Sequence, residues 1–295
     1  IAVLAASVGD YIGGVCFVLE PGVVHSLFVA LQRLFERIMN FLQLAVSGRG
    51  TDRVEGKTAL PANDLQRLYA LADGLVVTDY IVPRACAQVE RRLQYKVAEM
   101  RSLIGATTRQ NELLQRALCS RAAADIVNRE DGGLAWPRSD YKSSTSTQEV
   151  SDPSLKFVKL FQFISSFMKS VAGTLGIDWV EPLAKCLLEE ISNELSRDGT
   201  EFWKSHAAGM GKVGIRQLFL DMRFFISMAD KLLTDHGIVR IESVISRATK
   251  LSSALGSDIP TDDWAQKKAI TAAAKEKSLP AILLAIISSS TKQQP

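Results

Sequence analysis

Apolar residues step by three and four along most of this chain, and that spacing limits its fold more than any other feature. Val24, Leu27, Phe28, Leu31, Leu34, Phe35, Ile38, Phe41, Leu42 and Ala45 form the first such series. A helix of 3.6 residues per turn gathers them on one face, where they need a second surface to cover them. The pattern recurs over Leu65–Val76, Val89–Ile126, Phe157–Val171, Leu218–Leu233 and Ile241–Leu255. β-Branched runs are short, as at Val76–Val77, and none flank a hairpin turn signal. The chain is therefore expected to be all-α, built of helical bundles joined end to end. No fixed repeat of 33–47 residues points to a regular solenoid. With 295 residues, 47% of them hydrophobic, there is enough apolar material for a core.

Proline, glycine and polar runs punctuate the helices. Pro21 suits a first helical turn, and Ser47–Ala62 reads as a polar loop. Asn63 or Asp64 can cap a second helix, which is expected to stop before Pro83 because the residue preceding proline avoids helical backbone. One long basic helix is expected from Arg84 to Arg129. Asp131–Val150, with Gly132, Gly133, Pro137 and the hydroxyl run Ser143–Thr147, breaks the pattern most clearly. That run reads as solvated linker or as a set of phosphorylation acceptors. Beyond it, Ser151 or Asp152 is expected to cap a helix with Pro153 at its first position. Further helices are expected over Pro182–Ser196, over Val213–Leu233 with Gly237 as its stop, up to Gly256, and from Asp262 onward. The implied organisation is a first bundle over 1–130, a linker or loop over 131–150, a C-terminal bundle over 151–278, and a tail or short final helix over 279–295.

Residues able to do chemistry are sparse. The net charge of +3 gives no general case for nucleic-acid binding. Cys16, Cys86, Cys119 and Cys186 are scattered, so neither a zinc site nor a disulfide framework is expected, and reduced thiols on helix faces suit a cytosolic chain. His25, His206 and His236 have no partner at metal or nucleophile spacing; His236 is expected at a helix C-terminus, where the dipole favours a cation. Gly209, Gly211 and Gly214 match Gly-x-Gly-x-x-Gly, but no strand precedes them, as a dinucleotide site requires. Leu279–Ile287 is apolar yet shorter than the roughly 20 residues that span a bilayer, and no basic leader precedes the opening residues, so a soluble chain is expected. Its first residue, Ile1, suggests a fragment or processed product. No catalytic residue, cofactor, metal or small-molecule substrate is expected. The basic helix has two readings: a solvated face with internal pairing, or an electrostatic contact through Arg91, Arg92 and Lys96 with an acidic partner or anionic lipid.

A signature emerges near the end. EFW at Glu201–Trp203 is followed by GIRQLFLDMRFF at Gly214–Phe225, ISRATKL at Ile245–Leu251 and DIPTDDW at Asp258–Trp264. In order and spacing this resembles the C-terminal region of the exocyst subunit eighty-four family in its plant-like form. Val24–Val46 and Leu65–Ala85 resemble the family's earlier helices more loosely. The tail after Ser278 has no counterpart. The resemblance implies an elongated rod of stacked helical bundles of the vesicle-tethering type, without enzymatic activity. It implies docking to other exocyst subunits, in the cytoplasm and peripherally at secretory vesicles and plasma membrane. The alternatives are a rod of another tethering complex or an all-helical small-molecule binder. Within the signature, Phe225 is expected in the core and Trp203 and Trp264 as loop anchors or partner contacts. Asp221 is the unusual residue: it must reach an edge or find a donor, with Arg216 and Arg247 as the candidates.

Overall fold

The computed structural model describes residues 7–8, 10, 21–47, 64–93, 96–128, 150, 152–197, 211–254 and 262–275. The fold is all-α: every regular element among the described residues is helical. The chain divides into two compact units, Ile1–Leu118 and Cys119–Pro295. The division falls inside a helix, upstream of the Asp131–Val150 break, which apart from Val150 lies outside the described residues.

In the first unit, α1 spans Pro21–Ser47. Its buried row is Leu27, Leu31, Phe35, Met39, Leu42 and Val46, while Phe41 is 70% exposed. The apolar series thus drifts around the helix: Met39 and Val46 turn inward and Phe41 turns out. α2 (Asp64–Val76) packs on α1. The expected stop before Pro83 does not occur. A π-helical turn, Val77–Ile81, carries α2 directly into α3 (Val82–Leu93), with the Val82 amide donating to the Val77 carbonyl. Proline lacks an amide hydrogen and its ring crowds the carbonyl one turn back. Widening that turn to an i→i+5 pattern accommodates it where a tighter helix would break.

The expected single helix from Arg84 to Arg129 is two helices. After α3 the chain leaves helical geometry and re-enters as α4, Ala98–Asn128. The Glu90 carboxylate of α3 accepts the Val97 amide at 3.1 Å, and the Met100 amide reaches the Val97 carbonyl. A carboxylate thus takes up a donor beside the start of α4, where helix geometry leaves amides without partners. α4 crosses α2 at Gly74. A Cβ there would lie 2.7 Å from Leu114 Cδ2 and 3.3 Å from Asn111 Oδ1, so glycine permits the close approach.

In the second unit, the end of α4 buries Cys119, Ala122, Ala123 and Val127. α5 spans Leu155–Leu175. Ser154 occupies its cap position in extended geometry, so Pro153 lies just outside the helix and Asp152, exposed, two residues before the cap; Ser151 lies outside the described residues. Gly176, at φ +96°, ends α5 in a conformation that favours glycine. A 3₁₀ turn, Ile177–Trp179, then leads into α6, Val180–Ser196, with Pro182 in its first turn. α7 (Lys212–Ala229), α8 (Asp235–Ala254) and α9 (Asp262–Lys275) complete the unit. α7 packs against α5, α8 and α9, and α6 against α8. Gly237 does not stop α7. It lies in the first turn of α8, where the Thr234 hydroxyl accepts its amide. His236 is therefore exposed near a helix N-terminus, the opposite end from the one expected.

Candidate functional site

Asp221 lies at the centre of α7 with no exposed surface. A carboxylate in that position needs donors, since desolvation without them costs several kcal/mol. The Ser154 backbone amide donates to Asp221 Oδ1 at 2.7 Å, and Gln217 Nε2, one turn earlier on α7, donates to the same atom at 3.0 Å. Ser154 begins α5. The carboxylate therefore occupies the N-terminal end of that helix, where free amides and the dipole both favour an anion. The Ser154 side chain provides no cap of its own, so a residue 67 positions away does this work.

Two more side chains hold the same short segment. Gln217 Nε2 also reaches the Asp152 carbonyl at 3.1 Å, and Lys268 Nζ of α9 donates to the Val150 carbonyl at 3.2 Å. The Lys268 ammonium lies 5.0 Å from the Trp264 ring centroid, a cation–π contact. Residues 150–154 are thus held at three main-chain groups by α7 and α9. Of the residues singled out in the sequence, this clasp unites Asp221 and Trp264. Gln217, Lys268 and Ser154 were not anticipated. Gln217, one turn before Asp221 on the same helix face, was the only one with a local signal. Arg247, expected as a donor, contacts the Ser196 carbonyl at the end of α6 at 3.3 Å.

Phe225 has no exposed surface, as expected. It stacks against Phe157 (ring centroids 6.5 Å apart, edge-on) and Phe161 (5.6 Å), while Phe161 meets Phe224 edge-on at 5.9 Å. These rings join α5 to α7 with the geometry that aromatic quadrupoles favour. Trp203 lies outside the described residues.

The basic residues do not form one site. Arg91 and Lys96 are exposed but lie on opposite sides of the break between α3 and α4, and the Arg92 side chain lies outside the described residues. Arg121 pairs locally with Asp125 at 3.2 Å, which suits the solvated reading. Arg84 lies over the Tyr80 ring and donates to its hydroxyl. Tyr80 belongs to an exposed row with Tyr69 and Val76, spaced by seven and four residues along α2 and the π turn. Cys86 is buried, and its thiol is pushed up to about 12 by desolvation, with the Glu90 charge adding to the effect. No group of three His, Cys, Asp or Glu side chains could hold a metal among the described residues, and no described helix is long and apolar enough to cross a membrane.

No family model matches the chain, and no solved structure does. Two curated proteins of Arabidopsis thaliana do. Exocyst complex component EXO84B is 26% identical over 229 residues, covering 68% of this chain and 30% of that protein. Exocyst complex component EXO84A is 23% identical over 226 residues, with the same coverage. The chain thus spans about a third of the length of the relatives it matches. The chain, all-helical where it is described, is thus similar over 68% of its length to two EXO84-type exocyst components.

Proposed function

We propose that this chain is a structural segment of an exocyst subunit, corresponding to the C-terminal helical-rod region, and that it works by docking other subunits through its helices. The observation that carries this reading is the pair of matches to exocyst components. In this reading the chain has no enzymatic activity and its role is to help tether secretory vesicles to the plasma membrane before fusion. The chain works in the cytoplasm, peripherally at vesicle and plasma membrane.

One feature of the surface supports a docking role. Tyr69, Val76 and Tyr80 present aromatic and apolar area on one helical face, beside Arg84. Tyrosine and arginine are the residue types that anchor protein interfaces. The polar side chains of the clasp, by contrast, are engaged with main chain. Affinity purification of the tagged full-length parent protein is the test. Recovery of other exocyst subunits is expected. Recovery of the subunits of a different tethering complex would transfer the assignment there, and recovery of neither would overturn it.

A further inference from the structure

Four cysteines scattered through the sequence gave no sign of pairing, yet two of them meet in the second unit. Cys119 Sγ, on α4, lies 3.8 Å from the Leu183 carbonyl of α6. Leu183 and Cys186 are one turn apart and share a face of α6. Neither cysteine is in a disulfide, and the Cys186 side chain is the largest cause holding the Cys119 thiol above its ordinary range. Small buried residues flank each: Ala122 and Ala123 beyond Cys119, Ala184 before Cys186. Small residues let helix backbones approach closely, which a disulfide between two helices requires.

We propose that Cys119 and Cys186 form an oxidation-sensitive dithiol, a site at which peroxide closes a disulfide between α4 and α6. The two sulfurs are not equivalent. Cys119 has no exposed surface, while Cys186 is half-buried, so a small oxidant arrives at Cys186. The neighbouring Cys186 side chain, then burial, holds the Cys119 thiol well above its ordinary range, so it remains protonated, with its proton directed to the Leu183 carbonyl. Cys186 attacks one peroxide oxygen and the O–O bond breaks. Hydroxide leaves with the thiol proton as water, and a sulfenic acid remains. The Cys119 sulfur then attacks the sulfenic sulfur. The S–O bond breaks, and the departing hydroxide takes the Cys119 proton as a second water. Two thiols lose two electrons in total, and one peroxide is reduced to two waters.

The experiment treats the folded full chain with hydrogen peroxide, unfolds it in iodoacetamide, and maps the peptides by mass spectrometry. The expected product is one Cys119–Cys186 linked peptide, lighter by two hydrogen atoms than its reduced parts, restored by dithiothreitol, with Cys86 fully alkylated. Cys119→Ser abolishes the link and leaves on Cys186 a sulfenic acid that dimedone traps. Cys186→Ser, at the more exposed position, leaves Cys119 a thiol throughout. A wild-type chain that accumulates oxidised Cys186 without the link overturns the proposal. So does a chain that stays fully reduced, or one that forms the link only after denaturation.

Discussion

Replacing Asp221 with alanine tests the claim that this buried carboxylate caps α5. The substitution removes the acceptor of the Ser154 amide at 2.7 Å and of Gln217 Nε2 at 3.0 Å. A hydrogen bond to a charged group contributes about 1.5–3 kcal/mol, and an orphaned buried donor costs about 1–3 kcal/mol. Ser154 is only half-buried, so water recovers part of the second cost. Gln217 keeps the Asp152 carbonyl as a partner, so its bond adds less. The net loss worked from these contacts is about 2–4 kcal/mol. Tryptophan fluorescence in urea isolates the effect, because Trp136, Trp179, Trp203 and Trp264 all belong to the unit Cys119–Pro295. With a slope of about 2 kcal/mol/M, a 3 kcal/mol loss lowers the midpoint by about 1.5 M. Asp221→Asn keeps an oxygen acceptor and gives up the charge, so its loss is expected to be about 1 kcal/mol. A midpoint for Asp221→Ala at the wild-type value refutes the capping argument. Equal losses for alanine and asparagine would show that charge matters and acceptor geometry does not.

Other perturbations act through different terms. Phe225→Ala empties the ring cluster with Phe157 and Phe161 and is expected to cost about 3–5 kcal/mol in the same fluorescence assay; an unchanged midpoint would remove Phe225 from the core. Gly74→Ala and Gly105→Ala should have opposite signs by circular dichroism melting. At Gly74 the new methyl meets Leu114 and Asn111, and overpacking of about 1–3 kcal/mol outweighs a helix-propensity gain of about 1 kcal/mol. Nothing lies within 4 Å at Gly105, so there the gain stands alone. Cys86 in the folded chain should resist iodoacetamide up to pH 9 and react once the chain is unfolded. Its folded pKa of about 12 lies above the ordinary 9.0, so the stability linked to this proton is intact below pH 9 and falls between pH 9 and about 12 as the unfolded thiol releases it first.

The class of fold was legible because period-3.6 patterning is a property of each segment taken alone. Phe225, Leu218 and Met222 could be placed in a core for the same reason. Local rules failed where a neighbour overrode them. Pro83 does not end a helix, because a π turn upstream absorbs it. The α3–α4 break is set by Glu90 reaching Val97, and nothing in the basic run Arg84–Arg129 announces it. Gly237 and His236 read as the end of one helix because glycine is common there, but the hydroxyl of Thr234 makes that position the start of the next. Asp221 was recognisable as a residue in need of a donor. Its main-chain donor was not, since every backbone amide is invisible in sequence and this one arrives from 67 residues away.

That geometry also explains what kind of motif the Leu-Asp-Met run is. A carboxylate amid Leu218, Phe219, Leu220, Met222 and Phe224 looks like a functional residue, because burial of a charge is costly and sites tolerate that cost. Here the cost is offset at a helix N-terminus, and the partners are the fold's own. Asp221, Gln217 and Lys268 each address a main-chain atom of residues 150–154, namely the Ser154 amide and the Asp152 and Val150 carbonyls. Contacts to main chain fix the register of a segment while leaving its side chains free to vary. Substitutions at positions 150, 152 and 154 should therefore be tolerated better than conservative changes at Gln217, Asp221 or Lys268. The Leu-Asp-Met run thus specifies how α5 docks on α7 and α9.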